Sequence, residues 1–426
     1  MAPLKELRVE GTLRVPGDKS ISHRALILAS LARGKSRIRN ILQSEDVNAT
    51  ADSLRKLGAA IPALSSDFYV TARGMRDLRS TEQQLDCRNS GTTARLLAGV
   101  AAGAGLRAKF VGDASLSRRP MRRVAEPLRA MGAHVDLAPH GGLPMTVSAG
   151  ALRGIEWETP VASAQVKSAI LLAALIGGVR ATVSEPHLSR DHTERMLAGR
   201  GVEIRREGTT VELPAGQSVR PEDVDVPADP SSAAFFAALG VLSGRCALQL
   251  TDVCLNETRI GFLLALGRMG GRVDITDERI EGGERIGTLL PAASRLHGIN
   301  VLPSEVPSMI DELPLLACLA TRARGETVVR GASELRVKES DRIAAVVSNL
   351  RTIGAQADEL PDGFRVVGFA EPKPLRGAVR TLGDHRMAMA FGILGAMPGN
   401  EITVDDADCV AVSYPGFWRD LDRVLP

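Results

Sequence analysis

Aromatic residues are scarce in this sequence. Phe, Trp and Tyr make up 3% of the 426 residues, although hydrophobic residues of all kinds make up 44%. A chain of this length is expected to fold as two domains with sizeable cores. We therefore expect those cores to be packed mainly by Ala, Leu, Val and Gly.

Cysteine and histidine are also few. The five cysteines are odd in number and include no C-x-x-C pair, and the seven histidines are dispersed. This pattern argues against a disulfide scaffold and against a zinc site, and it favours free buried thiols in a reducing compartment. We expect no metal and no cofactor.

Long apolar runs are absent as well. No window approaches the roughly 18 apolar residues that mark a membrane span, and residues 1–6 have no apolar core of the signal-peptide type. The net charge of +3 arises from acids and bases mixed along the chain. That balance argues against a nucleic-acid partner. The composition predicts a cytoplasmic protein without a membrane or nucleic-acid partner.

One polar stretch near the start has the composition of an anion site. Residues 12–15 predict a short strand that ends at Pro16-Gly17, and a helix follows with Lys19 and Ser20 at its start and Arg24 one turn further on. Free backbone N–H groups and the helix dipole favour an anion there, and the side chains add cations and a hydroxyl. Because the spaced upstream Gly of a P-loop is missing, that motif is excluded. An ordinary capped helix with solvated charges is the alternative.

The same pattern recurs along the chain. The recurrences occupy residues 85–99, 159–175, 226–239, 305–319 and 381–392. Each predicts a strand, a polar turn and an Ala/Leu-rich helix that ends near a Gly. A second strand, a more amphipathic helix and two further strands follow, so the sequence predicts a βαβαββ unit repeated six times.

The first helix of each unit is apolar nearly all round and is predicted to be buried. If equivalent helices pack together within a domain, their N-termini point the same way. Several positive dipole ends then converge on the space between the two domains. Such a cleft would bind small polyanions even though the whole chain is almost neutral.

Several polar turns carry more charge than helix capping requires. Besides Lys19 and Arg24, the surplus residues are Ser163, Gln165, Lys167, Asp311, Glu312, Lys338, Glu339, Arg342, Asp384, His385 and Arg386. The cations suit phosphate binding, and the carboxylates suit acid–base chemistry. Lys338, Glu339 and Arg342 are predicted to begin a helix, with Lys338 and Arg342 on one face; a solvated helix start is the alternative for them. The run Arg118–Arg123 has the same alternative.

These motifs, taken in order, closely resemble the 3-phosphoshikimate 1-carboxyvinyltransferase (5-enolpyruvylshikimate-3-phosphate synthase) family. The resemblance is carried by residues 17–24, 89–92, 112–121, 163–165, 311–312, 338–342 and 383–389. Residues 163–167, 190–194 and 256–259 look like signature motifs of the class II enzymes, many of which tolerate glyphosate. The motifs leave the response of this chain to glyphosate open.

The resemblance implies an α/β fold of two inverse α/β barrel-like domains. Each domain would hold three βαβαββ units, and a two-stranded hinge would join them. Residues 1–14 plus 230–426 would form the C-terminal domain, and residues 15–229 the N-terminal domain. The protein would act as a monomer on two small-molecule substrates, shikimate 3-phosphate and phosphoenolpyruvate, with glyphosate as an inhibitor to test.

The resemblance also implies the substrate contacts. Shikimate 3-phosphate would contact Lys19, Ser20, Arg24, Ser163, Ala164, Gln165, Arg190, Asp311 and Lys338. Phosphoenolpyruvate would contact Lys19, Gly91, Arg119, Gln165, Arg342 and Arg386. Many relatives place a Lys near the C-terminus, but this chain has Val412 at that position.

The implied reaction adds the 5-hydroxyl of shikimate 3-phosphate to C2 of phosphoenolpyruvate while C3 takes a proton. Loss of phosphate from the tetrahedral intermediate then gives the enolpyruvyl ether. The expected catalytic residues are Asp311 and Lys19, which would remove the hydroxyl proton, and Glu339, which would protonate the methylene carbon.

Two alternatives are carried forward. The sister enzyme transfers enolpyruvyl to UDP-N-acetylglucosamine and usually has a reactive Cys in a loop that corresponds to residues 112–118, where this chain has none. A non-catalytic anion-binding protein of the same fold is the other alternative, and the presence of Lys19, Asp311 and Glu339 argues against it.

Overall fold

The computed structural model describes residues 7–369 and 373–425. Within them the chain forms two compact units. The first unit contains residues 7–16, Pro227–Ile280 and 284–425, and the second contains Gly17–Val226 with Glu281–Gly283. The chain therefore passes between the two units after Pro16 and again after Val226.

The described helices alternate with strands along both units. They are α1 (Lys19–Leu31), α2 (Glu45–Lys56), α3 (Gly91–Gly103), α4 (Ala114–Arg118), α5 (Arg122–Ala130), α6 (Ala164–Gly177), α7 (His192–Gly199), α8 (Pro230–Leu242), α9 (Gly261–Arg268), α10 (Leu313–Ala320), α11 (Arg342–Thr352), α12 (His385–Gly395) and α13 (Phe417–Val424). Short 3₁₀ helices occupy Met75–Asp77, Val306–Ser308, Ile310–Glu312, Ser333–Val337 and Asp408–Val412.

The strands form several small sheets. They are β1 (Arg8–Leu13), β2 (Arg33–Arg39), β3 (Asp67–Arg73), β4 (Gln84–Asp86), β5 (Ala108–Val111), β6 (His134–Leu137), β7 (Met145–Ser148), β8 (Ile155–Glu158), β9 (Ala181–Ser184), β10 (Arg205–Glu207), β11 (Thr210–Leu213), β12 (Val224–Asp225), β13 (Arg245–Cys254), β14 (Arg272–Glu281), β15 (Glu284–Ala292), β16 (Asn300–Val301), β17 (Gly325–Val329), β18 (Gln356–Leu360), β19 (Gly363–Gly368), β20 (Arg376–Val379) and β21 (Glu401–Val404).

Three of these sheets have the complete strand set of the predicted repeat. Their strand orders are β4-β5-β7-β6, β8-β9-β11-β10 and β16-β17-β19-β18. In each sheet the first two strands in sequence are parallel, and the other pairs are antiparallel. The βαβαββ unit predicted from the sequence is confirmed at these three places.

The strands that pair with each other are not always consecutive in the chain. Strand β1, expected to open the first unit, pairs instead in parallel with β13, and the position beside β2 is taken by β12. The last unit contributes the two-stranded sheet of β20 and β21. Local residue patterns predict a strand but not its partner. The pairing of β1 joins Arg8 to Arg245, which lies far away in the sequence.

The first helix of each unit is buried, as its composition predicts. Helix α8 has a buried residue at every position from Pro230 to Val241, and helices α8, α10 and α12 contribute to one hydrophobic core of the first unit. In the second unit, α3 and α6 lie so close together that a Cβ on Gly99 would be 2.3 Å from the carbonyl oxygen of Ala169. The scarcity of aromatic side chains thus permits close helix packing.

Helices α3 and α6 run in the same direction. A Cβ on Gly103 would lie 2.8 Å from the carbonyl oxygen of Ala173, four residues after the Gly99–Ala169 approach. Parallel packing places the two helix N-termini side by side. The predicted alignment of equivalent helices is confirmed for this pair.

The cysteines match the prediction in part. None of the five is in a disulfide; Cys87, Cys254 and Cys318 are buried, whereas Cys246 and Cys409 are half-buried. Within the described part of the chain, no helix has the length and apolar character needed to cross a membrane. The same residues contain no group of three or more His, Cys, Asp or Glu side chains arranged to hold a metal ion.

Candidate active site

The N-terminus of α1 is shaped by a close backbone approach. A Cβ at Gly17 would lie 2.2 Å from the carbonyl oxygen of Asn40, so only glycine fits there. Asp18 then caps the helix by accepting a hydrogen bond from the Ile21 N–H at 2.8 Å. The Nζ atom of Lys19 lies 2.7 Å from Oδ2 of Asp46, which is buried. Lys19 is therefore oriented by a carboxylate at the start of the helix, as the sequence placed it.

Arg24 is buried and joins three helices. Its Nε donates to Thr193 Oγ1 at 2.6 Å and its Nη2 donates to Ser168 Oγ at 2.8 Å, while Nη1 donates to the Ser20 carbonyl at 2.9 Å. The hydroxyls of Ser168 and Thr193 lie 2.6 Å apart. Arg190 Nη1 reaches Ser20 Oγ at 3.5 Å. The structure thus brings Ser20, Arg24 and Arg190 together, although they are far apart in sequence.

The N-termini of α3 and α6 form a second part of this region. Gln165 Nε2 donates to Thr92 Oγ1 at 2.9 Å, and its Oε1 accepts from Arg95 Nη1 at 2.6 Å. A Cβ on Gly91 would lie 2.6 Å from Arg95 Nη1 and 3.5 Å from Arg119 Nη1. Glycine at position 91 therefore leaves room for two guanidinium groups beside the start of a helix, an arrangement suited to an anion.

Arg119 is buried rather than solvated. It follows α4 and donates through Nη2 to Asn89 Oδ1, with Ser115 Oγ at 3.5 Å. The solvated alternative for the basic run is wrong for Arg119, whereas Arg118 and Arg122 are exposed. Sequence alone could not separate these side chains, because it did not show that the chain turns inward between α4 and α5.

A fully buried ion cluster joins α6 to α7. Lys167 Nζ lies 2.7 Å from Glu185 Oε2 and 2.8 Å from Glu194 Oε1. Burial alone would lower the pKa of Lys167, but the negative charges of Glu194 and Glu185 outweigh it and raise the pKa. Glu185 Oε1 also accepts from the Ser163 N–H at 2.8 Å. Ser163 is the N-cap of α6 and Ala164 is its first residue, so both lie at the predicted helix start.

The first unit gathers its predicted residues around one arginine. Arg342 is 1% exposed and contacts three carboxylates: Asp384 at 2.8 Å, Glu339 at 2.7 Å and Asp311 at 3.3 Å. Lys338 Nζ adds a longer contact of 3.4 Å to Asp311. Burial works against the charge on Arg342, but the surrounding carboxylates raise its pKa. The solvated alternative is therefore wrong for Arg342.

The helix predicted to begin at Lys338 begins later. Asp341 caps α11 by accepting from the Ala344 N–H at 3.1 Å, so the first helical residue is Arg342. Lys338 follows the 3₁₀ helix Ser333–Val337 in an extended conformation. The expected shared helix face of Lys338 and Arg342 is wrong; the two side chains meet instead at Asp311.

Glu312 lies next to the proposed base Asp311 and is completely enclosed. It is 2% exposed, and burial together with the negative charge of Asp311 raises its pKa, while Arg386 and Arg259 oppose that rise. Arg386 is buried in the first turn of α12, where its N–H donates to the N-cap Asp384 at 2.9 Å. Asp384 thus connects the first turns of α11 and α12.

Comparison with known proteins decides the family. A family model described as EPSP synthase (3-phosphoshikimate 1-carboxyvinyltransferase) matches residues 4–421. A 3-phosphoshikimate 1-carboxyvinyltransferase from Sulfurihydrogenibium sp. is 48% identical, with 99% of this chain and 98% of the relative covered. The enzyme of the same name from Bacillus subtilis is 42% identical, with 98% and 97% covered.

The chain belongs to the EPSP synthase family.

Solved structures agree with this family membership. An EPSP synthase from Acinetobacter baumannii superposes with a TM-score of 0.86 at 37% identity, with 99% of this chain and 97% of that chain covered. The enolpyruvyl transferase NikO from Streptomyces tendae has a TM-score of 0.76 at 19% identity, over 99% and 98% of the chains, and shows the fold alone. The chain has the α/β enolpyruvyl transferase fold, as the sequence predicted.

The EPSP synthase family fixes the reaction class. The protein is a transferase of the shikimate pathway, in aromatic amino-acid biosynthesis, and its reaction moves the enolpyruvyl (carboxyvinyl) group of phosphoenolpyruvate to the 5-hydroxyl of shikimate 3-phosphate. Its substrates are small molecules. Neither alternative activity carried forward from the sequence describes this family.

The sequence missed several residues that hold this site in place. Asp46, Glu185 and Thr193 contact Lys19, Ser163 and Arg24 respectively. Each lies in another helix or loop. Although Thr193 falls within the motif at residues 190–194, no local pattern signals these contacts. Asp384 lies in the motif at residues 383–389, and its position directly before a helix indicates an N-cap. That signal does not predict its contact with Arg342.

Proposed function

We propose that the N-termini of α1 and α6, with the segment before α7, provide most of the binding site for shikimate 3-phosphate. The proposed contacts are Lys19, Ser20, Arg24, Ser163, Ala164, Gln165 and Arg190, together with Asp311 and Lys338. The support is chemical: three cations and two helix N-termini suit a phosphate group, and the linked hydroxyls hold Arg24 in one position.

We propose a second set of contacts for phosphoenolpyruvate. They are Lys19, Gly91, Arg119, Gln165, Arg342 and Arg386. Phosphoenolpyruvate carries a carboxylate and a phosphate, so several guanidinium groups are needed to offset its charge. Val412, at the end of the 3₁₀ helix Asp408–Val412, cannot supply the cation that many relatives have there. In this chain, the proposed arginines therefore offset more of the negative charge of phosphoenolpyruvate.

We propose that Asp311 and Glu339 transfer the protons. Asp311, assisted by Lys19, accepts the proton of the 5-hydroxyl as its oxygen bonds to C2 of phosphoenolpyruvate. Glu339 donates a proton to C3, which becomes a methyl group in the tetrahedral intermediate. The C2–O bond to phosphate then breaks, and the proton held by Asp311 passes to the departing phosphate. Loss of a proton from the methyl group to Glu339 restores the double bond, so both carboxyl groups return to their starting states.

The observation that carries this proposal is the shared contact with Arg342. Both carboxylates lie on one buried guanidinium, at 3.3 Å for Asp311 and 2.7 Å for Glu339. A cation between them holds both carboxyl groups in place. Arg342 is itself bound by Asp384 through two hydrogen bonds. Asp311 and Glu339 are therefore held by a preorganised guanidinium group.

Isosteric substitutions test the two roles. Asp311→Asn and Glu339→Gln should each lower the rate of phosphate release by about 10²–10⁴-fold, because each removes a proton-transfer group. In deuterated water, Glu339→Gln should also lose deuterium incorporation at C3, measured by mass spectrometry. The exposed carboxylate Asp358, on β18, gives the matched control Asp358→Asn with unchanged turnover. Near wild-type turnover in either active-site variant would remove that residue from the proposal.

We further propose that the protein acts as a monomer in the cytoplasm, without a cofactor and with glyphosate as an inhibitor. We retain the domain boundaries 1–14 plus 230–426 and 15–229 as a proposal. Light scattering at working concentration measures the mass, for which the 45.2 kDa chain gives the monomer value. Inhibition kinetics against phosphoenolpyruvate measure the glyphosate response, and limited proteolysis measures the domain boundaries.

A further inference from the structure

A buried ion cluster lies directly behind the proposed shikimate 3-phosphate residues. We call Lys167, Glu185 and Glu194 the 167–185–194 cluster. Their side chains are 3%, 1% and 6% exposed respectively. Lys167 lies on α6, Glu185 follows β9 and Glu194 lies on α7. One lysine therefore joins three separate segments of the second unit.

Stability alone does not account for this cluster. Removing charges from water is costly, and well-packed apolar side chains in the same space would stabilise a fold at least as well. The cluster also carries two carboxylates for one ammonium group. What apolar residues could not reproduce is the set of directed polar contacts that Lys167 makes to Glu185 and Glu194, and that Glu185 makes to Ser163 and Ser189.

The Glu185 carboxylate contacts two segments of the proposed binding site. Its Oε1 accepts from the Ser163 N–H at 2.8 Å, and its Oε2 accepts from Ser189 Oγ at 2.7 Å. Ser163 begins α6, and Ser189 directly precedes Arg190. Glu185 thus holds two of the segments that supply proposed substrate contacts, namely the start of α6 and the stretch before Arg190.

Glu194 extends the same network to the surroundings of Arg24. Lys167 contacts Glu194, and Thr193, which precedes Glu194 in α7, accepts a hydrogen bond from Arg24 at 2.6 Å. The residue after Lys167 is Ser168, which accepts from Arg24 at 2.8 Å. Lys167 and Glu194 therefore fix the two backbone segments whose hydroxyls hold Arg24.

We propose that the 167–185–194 cluster is a positioning device that sets the affinity for shikimate 3-phosphate by fixing the starts of α6 and α7 relative to each other. This inference rests on the shikimate 3-phosphate contacts proposed above. Its members are positioning residues and touch no substrate. Their effect is on the placement of Ser163, Arg24 and Arg190.

Binding of shikimate 3-phosphate to the full-length protein, measured by titration calorimetry, tests the inference. Lys167→Met should weaken binding by about tenfold or more, because two buried carboxylates lose their shared partner and their segments shift. The KM for shikimate 3-phosphate should rise in the same proportion, while the KM for phosphoenolpyruvate should rise less, because Gln165 is its only proposed contact on α6.

A second variant covers the case in which Lys167→Met does not fold. Glu194→Gln keeps the shape and removes the surplus negative charge, so it should retain or raise the melting temperature while still weakening shikimate 3-phosphate binding by several-fold. The conservative variant Glu194→Asp keeps the charge and should recover part of the lost affinity. A purely structural role would change the melting temperature and leave binding unchanged.

Arg200→Met is the matched control. Arg200 is another buried cation of the second unit, at the end of α7, where Nη1 lies 2.8 Å from Glu222 Oε2. Its loss should lower the melting temperature but leave shikimate 3-phosphate binding within about twofold of wild type. Equal weakening in Arg200→Met and Lys167→Met would overturn the inference, because any buried cation would then serve.

Arg190→Met separates this inference from the proposed contacts. If Arg190→Met weakens binding and both Lys167→Met and Glu194→Gln bind normally, the positioning inference is wrong and the contacts stand. If Arg190→Met also binds normally, the proposed contact is wrong, and the inference that depends on it is overturned with it.

Discussion

The two units differ in how their buried charged side chains are paired. In the unit that contains Gly17–Val226, one lysine lies between two carboxylates, and a separate arginine is held by hydroxyl groups. In the other unit, one arginine lies among three carboxylates. In the first arrangement Arg24 donates to the hydroxyl groups of Thr193 and Ser168. The second concentrates acids around Arg342.

This difference teaches that one structural repeat can present different chemistry at equivalent turns. Complete βαβαββ sheets occur in both units, and a polar residue caps the first helix in each setting, as Asp18 and Ser163 do in one unit and Asp384 in the other. The residues beyond the cap differ between these turns, with cations and hydroxyl groups in one unit and carboxylates around Arg342 in the other. The fold supplies the helix start, and side chains supply the function.

The largest expected effect comes from removing the central cation of the first unit. Arg342→Met should destabilise the protein by about 3–5 kcal/mol, because three carboxylates would lose their buried partner. Urea denaturation followed by circular dichroism measures this. The exposed ion pairs of Arg365 with Glu326 and Asp358 give the control Arg365→Met, which should cost less than about 1 kcal/mol. Similar losses in both variants would contradict the account.

A smaller effect is expected when the hydroxyl support of Arg24 is removed. Thr193→Val keeps the side-chain shape but leaves a buried donor of Arg24 unsatisfied, so we expect a loss of about 1–3 kcal/mol. Shikimate 3-phosphate binding should weaken as well. Thr71, exposed on β3, gives the control Thr71→Val, which should change neither quantity. An unchanged affinity in Thr193→Val would show that the hydroxyls do not hold Arg24 for binding.

The pH dependence of stability should distinguish the two units further. His23 is buried in α1 with Nδ1 2.7 Å from Thr50 Oγ1, and burial, with the charges of Lys19 and Arg24, lowers its pKa well below 6.5. The unfolded chain therefore takes up a proton first on acidification. Stability should fall below pH 6.5, by up to about 1.4 kcal/mol per pH unit. His23→Gln should flatten this slope between pH 6.5 and 5; an unchanged slope would contradict the assignment.

Glu312 in the first unit should have the opposite sign and the smallest effect. Because its pKa is raised by burial and by Asp311, the folded protein binds its proton more readily than the unfolded chain does. Its contribution to stability should therefore fall as the pH rises from about 4.3 through the raised value. Glu312→Gln should remove that loss. Stability curves in urea from pH 5 to 8 measure the difference, and a steeper loss in the variant would refute it.

The helix starts could be predicted from the sequence because their causes are local. Asp18, Ser163 and Asp384 accept hydrogen bonds from N–H groups two or three residues later, and the Ala/Leu-rich runs that follow are buried. The pairing of β1 with β13 could not be predicted in this way, since it joins residues more than 200 positions apart. A strand pattern specifies a buried face but not the neighbour across the sheet.

The sequence supplies candidate site residues but not the contacts that hold them in place. Resemblance to a family supplied Lys19, Arg119 and Glu339 by position. It did not supply Asp46 beside Lys19 or Glu185 beside Ser163, because those contacts depend on how separate helices pack. The late start of α11 has a local cause, because Asp341 is a better N-cap than Lys338.

The central claim is that the second unit chiefly binds shikimate 3-phosphate while Glu339 of the first unit moves a proton. Titration calorimetry with shikimate 3-phosphate, run on Arg190→Met and Glu339→Gln, tests this most directly. The account predicts that Arg190→Met binds at least tenfold more weakly, about 1.4 kcal/mol, and that Glu339→Gln binds as the wild type does. Loss of binding in Glu339→Gln with normal binding in Arg190→Met would contradict it.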